Sequence, residues 1–259
     1  MEKLPAPTGW LWIKEGFALF RKQPADISTL FIAYMFLMLA VGILPVLGQL
    51  LPLVLIPVFS MAFMEACRRI AAGKRVYPNL LLAGFRSPRI KSLLLLGLLY
   101  LLSAMVAVAA SSLVDDGLFW RAMSGQATMD PKTVEGSNLL SAMLFAAAVY
   151  LPAAMAFWYA APLIAWQQMP LGKAIFYSFF TVYRQGRAFF VYALGWAGIG
   201  VLLPSFVSLI AGAILGRALA TMLVLLPLSV ALTVVMYCSF YPTYTQVFGD
   251  PGPLPPETP

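Results

Sequence analysis

Long intervals without a charged residue constrain this chain most strongly. The first runs from residue 27 to residue 64, so 38 consecutive residues contain no Asp, Glu, Lys or Arg. A helix needs about 20 apolar residues to cross the hydrocarbon core of a membrane. A soluble fold could not cover its surface with the 10% of charged residues that this chain contains. The apolar runs are continuous rather than alternating, which favours helices over barrel strands.

Charge-free intervals of this kind predict an all-α polytopic bundle with six spans in one membrane domain, residues 1–249. The spans are expected at 27–46, 49–66, 92–114, 139–166, 188–214 and 218–245. Pro45, Gly48 and Pro52 place the first turn near Leu44–Leu51. A re-entrant hairpin is the alternative there, because 38 residues barely suffice for two crossings. We also expect a short helix at Leu118–Met123 and a disordered, proline-rich tail at 250–259.

Lysine and arginine are distributed unevenly between the two sides of such a bundle. Fourteen of the 17 lie in the N-terminal segment or in the loops after spans two and four, and only three lie on the opposite side. The positive-inside rule therefore predicts that both termini are cytoplasmic.

The chain reads as one two-helix unit used three times in parallel. Each unit opens with an aromatic and basic segment, at residues 16–24, 83–88 and 178–184. The second spans also share a short similar segment, which we call the echo segment. Residues 61–66 resemble residues 155–160 and, more weakly, residues 236–238. Parallel units differ from the inverted repeats of many secondary transporters.

The opening segments are expected to lie flat at the membrane interface. On a helix, Trp10, Ile13, Phe17 and Phe20 share one face, while Lys14 lies off it. Together the segments form a basic-aromatic collar, which serves either as a simple anchor or as a lipid-headgroup site. Its predicted cations are Arg21, Lys22, Arg86, Arg184 and Arg187. Its predicted aromatic residues are Trp10, Phe17, Phe20, Phe85, Phe179, Phe180 and Tyr183. Charge reversal of Arg21, Arg86 and Arg184 is expected to weaken binding to anionic lipid.

Two stretches carry a resemblance to known proteins: residues 9–24, which include Gly9-Trp10-Leu11-Trp12 and Phe20-Arg21-Lys22-Gln23-Pro24, and residues 63–68, Phe63-Met64-Glu65-Ala66-Cys67-Arg68. With them, nearly the whole chain resembles a family of uncharacterised bacterial inner-membrane proteins. More distantly, it resembles the membrane domain attached to some glycerophosphoryl diester phosphodiesterases. The resemblance implies six helices in a bacterial inner membrane, and it implies neither an activity nor any site residues.

Catalytic chemistry is not indicated by the sequence. Histidine is absent, which excludes His-based acid–base catalysis and His metal ligands. Nucleotide-binding, nucleophile-elbow and zinc motifs are also missing. We therefore expect no catalytic residue, metal site, cofactor or nucleic-acid partner. The adjacent Asp115 and Asp116 lack further ligands at metal-like spacing, and Cys67 and Cys238 are expected to be reduced packing residues.

Two features predict packing rather than chemistry. Glu65 precedes Arg68 and Arg69 by three and four residues, which predicts an ion pair on a helix surface. Span five carries small residues at a spacing of four, which predicts close helix contact within the bundle or between copies: Ser208, Gly212 and Gly216.

Three classes of function then compete. The leading hypothesis is a non-enzymatic membrane protein that binds anionic lipid or a membrane partner through the collar. The alternative is a channel or transporter for a lipid or a neutral or apolar solute, with proline-kinked helices around a path. A membrane enzyme is the least favoured class. A transporter should surround a mid-depth cavity with polar side chains, for which the candidates are Ser60, Ser103, Ser141, Ser205, Ser208, Thr233 and Tyr237.

Overall fold

The structure, a computed structural model, describes residues 3–44, 47–123 and 137–252. Six of its helical segments are long and apolar enough to cross a bilayer, which confirms the predicted all-α polytopic bundle. The elements in chain order are α1 (Thr8–Lys22), α2 (Pro24–Gly42), α3 (Leu47–Ala71), a 3-10 turn (Pro78–Leu82), α4 (Ile90–Asp115), α5 (Leu118–Met123), α6 (Leu139–Phe157), α7 (Ala160–Ala165), α8 (Leu171–Arg184), α9 (Gly186–Leu215), α10 (Arg217–Ala220), a π-helical turn (Thr221–Leu225) and α11 (Leu226–Phe248). The six segments are α2, α3, α4, α6 with α7, α9, and α10 through α11.

The first hairpin consists of two helices of sufficient length. Helix α2 has 19 residues and α3 has 25, so at 1.5 Å per residue they extend roughly 28 and 38 Å. Because the hydrocarbon core is about 30 Å thick, these lengths favour a full hairpin over a re-entrant one. The turn predicted at Leu44–Leu51 is too long, because α3 already begins at Leu47 and contains Pro52. Residues 45 and 46 lie outside the described part. Helix α5 confirms the short helix predicted at Leu118–Met123.

The three opening segments differ in local structure. The first and third are mainly helical, in α1 and α8, but the second, residues 83–88, consists of turns that follow the 3-10 turn. Helix α1 also differs from a helix that only lies on lipid. It packs against α9 and α11, so Trp12 and Ile13 are buried by protein. Ile13 therefore does not share the environment of Trp10, which is exposed.

Each opening segment packs against the second span of the preceding unit. Gly16 of the first segment lies against Ser239 of α11, and Gly84 of the second lies against Val58 of α3. Ser178 of the third donates a hydrogen bond to the Met155 carbonyl of α6. Because the first segment contacts the last unit, the three units close into a ring.

The second spans of the three units form the centre of the bundle. The Phe63 and Tyr237 rings stack with their centroids 4.5 Å apart, and the Tyr159 hydroxyl donates to the Thr243 carbonyl at 3.0 Å. All three echo segments of the sequence therefore contribute to one core. The first spans lie around this centre, and two of them contribute core residues such as Leu30 of α2 and Leu96 of α4. The third, α9, exposes large apolar side chains along much of its length, such as Leu202. Such a surface is suited to lipid.

Close helix contacts occur at glycines other than the predicted ones. Among the described residues, no atom lies within 4 Å of a Cβ built on Gly212 or Gly216, and Ser208 is exposed. Gly212 and Gly216 therefore show no close approach of a neighbouring helix inside the described bundle, and contact of the stripe with a second copy stays a prediction. Instead, a Cβ at Gly97 would overlap the Val54 carbonyl. Helices α3 and α4 approach so closely there that only a glycine fits.

The C-terminal segment has no regular secondary structure at Asp250–Gly252, the last residues that the structure describes. Residues 253–259, on which most of the predicted disordered tail falls, lie outside the described residues.

Candidate functional site

One end of the bundle brings together four parts of the chain that carry many of its cations. The Leu4 amide donates to the Gln185 side chain at 2.8 Å, which joins the N-terminal segment to the end of α8. Trp12 Nε1 donates to Gln246 Oε1 at 2.9 Å, which joins α1 to α11. Arg68, near the end of α3, donates to the Gly252 carbonyl at 2.8 Å. We call this the basic end of the bundle.

A cavity of about 520 Å³ opens at the basic end, between the last turns of α3, the 3-10 connection and the end of α7. We call it the basic pocket. Three guanidinium groups line it together with one carboxylate and two large aromatic side chains. Its lining residues are Met61, Glu65, Arg68, Arg69, Tyr77, Asn79, Leu80, Ala83, Gly84, Arg86, Ser87, Pro88, Ala165 and Trp166.

The charges of the basic pocket do not cancel. Glu65 Oε2 accepts a hydrogen bond from Arg68 Nη1 at 3.1 Å, and Glu65 Oε1 lies 3.9 Å from Arg69 Nε. The predicted ion pair is therefore confirmed. Its predicted place on a helix surface is wrong, because Glu65 and Arg68 are only 8% and 7% exposed. One carboxylate facing Arg68, Arg69 and Arg86 leaves an excess of positive charge.

Arg68 is held in place from three directions. Its guanidinium lies over the Trp166 ring, 5.7 Å from the centroid, and it also bonds Glu65 and the Gly252 carbonyl. Cation–π contact and charge-assisted hydrogen bonds both hold the guanidinium in this position. The pocket thus presents a fixed cation beside two less constrained ones, Arg69 and the exposed Arg86.

The predicted collar cations are divided between several places. Only Arg86 lines the basic pocket, while Lys22 lines two shallow depressions beside α11 and beside Gly73. Arg21, Arg184 and Arg187 are exposed at the ends of α1 and α8 and at the start of α9. A single headgroup site that uses all five cations is therefore not formed.

Sequence reasoning missed most residues of the basic pocket, including Arg69, Tyr77 and Trp166. A signal was present, because Arg68, Arg69 and Arg86 all belong to the most basic loop of the chain. Their convergence depends on the 3-10 connection that brings Arg86 back towards α3, and the sequence does not specify that path.

The predicted aromatic residues fall into two groups. Phe180 and Tyr183 are exposed on α8, and Phe85 is also exposed although it contacts the Phe59 ring. Phe17 and Phe20 are half-buried instead, since Phe17 stacks on Trp196 and Phe20 packs against the core. Phe179 is half-buried as well, and Trp10 is exposed.

A second cavity, of about 300 Å³, lies deeper, between the second spans and α4. We call it the aromatic chamber. Ser60 on its wall stands 11 residues before the end of α3, which is roughly 16 Å from the basic end and near mid-depth. None of its lining residues is charged: Ile56, Ser60, Met64, Tyr100, Tyr150, Ala154, Phe157, Trp158, Tyr159, Ala161, Pro162, Met236, Tyr237, Phe240 and Thr243.

The carboxylate of Asp115 is hydrogen-bonded by backbone amides. It accepts hydrogen bonds from the amides of Gly117 and Phe119 at 3.0 and 2.7 Å, and so fixes the turn between α4 and α5. Within residues 3–44, 47–123 and 137–252, no group of three or more His, Cys, Asp or Glu side chains could hold a metal ion. Cys67 and Cys238 are free and buried, as predicted.

The chain is similar along its length to a probable inner membrane protein of Burkholderia thailandensis. The two are 39% identical over 262 residues, which cover 99% of this chain and 97% of the relative. Neither a protein-family model nor a solved structure matches the chain. The relative's name states a membrane location and no activity, and it makes no reference to a phosphodiesterase.

Proposed function

We propose that this chain, which belongs to the same family as the probable inner membrane protein of Burkholderia thailandensis, binds anionic lipid at its basic pocket without catalysing a reaction. The chain is an integral membrane protein of the inner membrane. The lipid-binding role and a cytoplasmic location of both termini are our proposals. The orientation is supported by the fourteen cations that the sequence assigns to one side.

The excess of positive charge in the basic pocket is the observation that carries this function. Arg68, Arg69 and Arg86 line the pocket, and Glu65 is the one carboxylate among its described lining residues. The pocket lies at the end of a span, where lipid phosphates are expected. Asn79 and Tyr77 add neutral hydrogen-bonding groups, and a lipid phosphate offers several acceptor oxygens to such donors. The volume of about 520 Å³ lies within the range of small-molecule sites.

Native mass spectrometry in mild detergent tests the proposal by comparing phosphatidylglycerol with phosphatidylcholine. The double variant Arg69→Gln, Arg86→Gln removes two pocket cations and leaves the buried Arg68–Glu65 pair intact. Each cation near an anionic lipid contributes about 1 kcal/mol, so we expect the preference for phosphatidylglycerol to fall roughly 30-fold.

A matched control removes the same charge outside the basic pocket. The double variant Arg21→Gln, Arg184→Gln should keep most of the preference for phosphatidylglycerol. An equal loss of the preference for phosphatidylglycerol in both double variants would indicate that anionic lipid binds along the whole collar rather than in the basic pocket. An unchanged preference in the pocket variant would contradict lipid binding at this site and leave a membrane protein partner or a second copy as the ligand of the basic end.

A transport role is the second candidate, and the aromatic chamber favours it. Of the predicted mid-depth polar residues, Ser60 and Tyr237 line the chamber. Ser205 and Thr233 do not line it. Scrambling of a fluorescent phospholipid in reconstituted vesicles tests this role. A rate above protein-free vesicles that falls in the variant Ser60→Leu would favour it, and a background rate would oppose it.

We also propose that the chain is distantly similar to the membrane domain attached to some glycerophosphoryl diester phosphodiesterases. The six-helix count is consistent with it, and the proposed role requires no phosphodiester cleavage.

A further inference from the structure

We propose that the aromatic chamber binds an uncharged, carbonyl-bearing ring, which is the chemistry of a membrane quinone head. This site goes beyond the proposed function, because it differs from the basic pocket in depth, charge and lining. Met61 lines only the basic pocket and Met64 only the chamber, so α3 separates the two cavities.

The position of the chamber selects ligands that are soluble in the membrane. Ser60, Tyr150 and Met236 line it near mid-span and are partly exposed. At that depth the surrounding solvent is hydrocarbon, so a ligand reaches these residues through lipid. Among the described residues, no cation or carboxylate lines the chamber, and a charged group would be costly there without a partner. The ligand is therefore uncharged.

The walls of the chamber select a flat ring. Tyr100 and Phe157 stack with centroids 4.5 Å apart, and Trp158 meets Phe240 edge-on at 5.1 Å. Aromatic faces and edges set at these angles accept a further ring by stacking or by edge contact. The volume of about 300 Å³ lies at the lower end of the small-molecule range, which suits a ring head rather than a whole lipid.

Two phenol groups on the walls select a hydrogen-bond acceptor. In the part of the chain that the structure describes, the hydroxyls of Tyr150 and Tyr237 have no hydrogen-bond partner. Their neighbours do, since Tyr159 donates to the Thr243 carbonyl and Ser60 to the Pro57 carbonyl. A hydroxyl without a partner is costly in an apolar site. A ring carbonyl would accept these hydrogen bonds and remain uncharged, as a quinone does.

Quenching of tryptophan fluorescence tests the proposal, because Trp158 lies in the chamber wall. The purified full chain in detergent is titrated with decyl-ubiquinone, and 1-decanol serves as a competitor that has the tail without the ring. We expect saturable quenching that 1-decanol does not reverse. The double variant Tyr150→Phe, Tyr237→Phe should bind at least tenfold more weakly, because each loses a hydrogen-bond donor and nothing else.

Two further variants separate binding in the chamber from non-specific quenching. Ala154→Leu fills the chamber and should abolish the saturable component. Tyr177 is an exposed residue of α8 outside the chamber, so Tyr177→Phe should leave that component unchanged. The double phenylalanine variant removes only two oxygen atoms, so it remains informative if Ala154→Leu fails to fold. Equal quenching by the wild type and the double variant, or full displacement by 1-decanol, would overturn the proposal. Phosphatidylglycerol binding at the basic pocket should be unaffected by all four substitutions.

Discussion

The hydroxyl of Ser178 on α8 lies between the backbone amide of Tyr159 and the backbone carbonyl of Met155. It accepts a hydrogen bond from the Tyr159 N–H and donates one to the Met155 carbonyl, both at 2.9 Å. In a continuous α-helix that N–H would bond to that carbonyl directly. Ser178 thus replaces one helical hydrogen bond and fixes the break between α6 and α7.

Replacing this bridge should destabilise the protein. The variant Ser178→Ala leaves the Tyr159 N–H and the Met155 carbonyl without their partner in a buried site. An unsatisfied buried polar group costs about 1–3 kcal/mol, so we expect a clear drop in the free energy of unfolding. Denaturant unfolding in detergent, followed by tryptophan fluorescence, measures it.

A serine elsewhere provides the matched control. Ser205 on α9 is exposed and donates only to the Val201 carbonyl of its own helix. Ser205→Ala should therefore change the free energy of unfolding little. Similar losses in the two alanine variants would contradict the bridging role of Ser178.

Gly97 should not tolerate a methyl group. A Cβ there would overlap the Val54 carbonyl, which belongs to the backbone and cannot move aside as a flexible side chain could. Forcing α3 and α4 apart resembles overpacking, so Gly97→Ala should lower stability by about 1–3 kcal/mol. In contrast, Gly198→Ala meets no described atom within 4 Å and should gain up to about 1 kcal/mol of helix propensity. Thermal unfolding in detergent compares the two variants. Changes in unfolding temperature of the same sign in both would argue against the close contact at Gly97.

Glu15 should make stability depend on pH. Burial raises the pKa of this carboxyl above its ordinary value of 4.5, although a hydrogen bond from Gln246 opposes the shift. A raised folded pKa means that folding favours the protonated form. The stabilisation is therefore complete below the ordinary pKa and is lost as pH rises through the raised folded pKa.

The variant Glu15→Gln isolates this pH dependence, because its amide oxygen can still accept the hydrogen bond from Gln246. We expect Glu15→Gln and wild type to have similar unfolding temperatures below pH 4.5, and the variant to gain relative to wild type as pH rises through the raised folded pKa. A difference in unfolding temperature between Glu15→Gln and wild type that stays constant from acid to neutral pH would contradict a raised pKa of Glu15.

The C-terminal segment should weaken ligand binding at the basic pocket. Arg68 Nη2 donates to the Gly252 carbonyl at 2.8 Å, so that part of its hydrogen-bonding capacity faces the segment rather than a ligand. Deleting residues 251–259 should tighten phosphatidylglycerol binding several-fold, since a hydrogen bond to a charged group contributes about 1.5–3 kcal/mol, partly offset by water. Native mass spectrometry measures the change. As a control, deleting residues 254–259 keeps Gly252 and should not change phosphatidylglycerol binding. Equal binding by the two truncated proteins would contradict a role for the Arg68–Gly252 contact.

Much of the fold could be predicted from the sequence. The charge-free intervals between residues such as Lys91 and Asp115 correspond to helices, because a span must be apolar and must satisfy its own backbone hydrogen bonds. The Glu65–Arg68 pair was predictable for a similar reason, since residues three apart are neighbours on any α-helix. Both predictions depend on properties of a single helix.

The candidate sites could not be predicted in this way. Arg86 lines the same pocket as Arg69 only because a 3-10 connection returns the chain to α3. Tyr150 lines the same chamber as Tyr237 only because spans distant in the sequence converge there. The sequence also did not single out Gly97, which lies against the Val54 carbonyl, because that close approach depends on how α3 and α4 pack.

The sequence by itself determined that the protein folds in a membrane, how many long apolar helices it has and how unevenly its charges are distributed. Only the tertiary structure decided which cations share a pocket, which phenols face a chamber and which serine interrupts a helix. The physical reason is that spans form from local hydrogen bonds and local hydrophobicity. Cavities, in contrast, depend on how side chains from distant spans pack together, and apolar residues of similar size leave that arrangement open in the sequence.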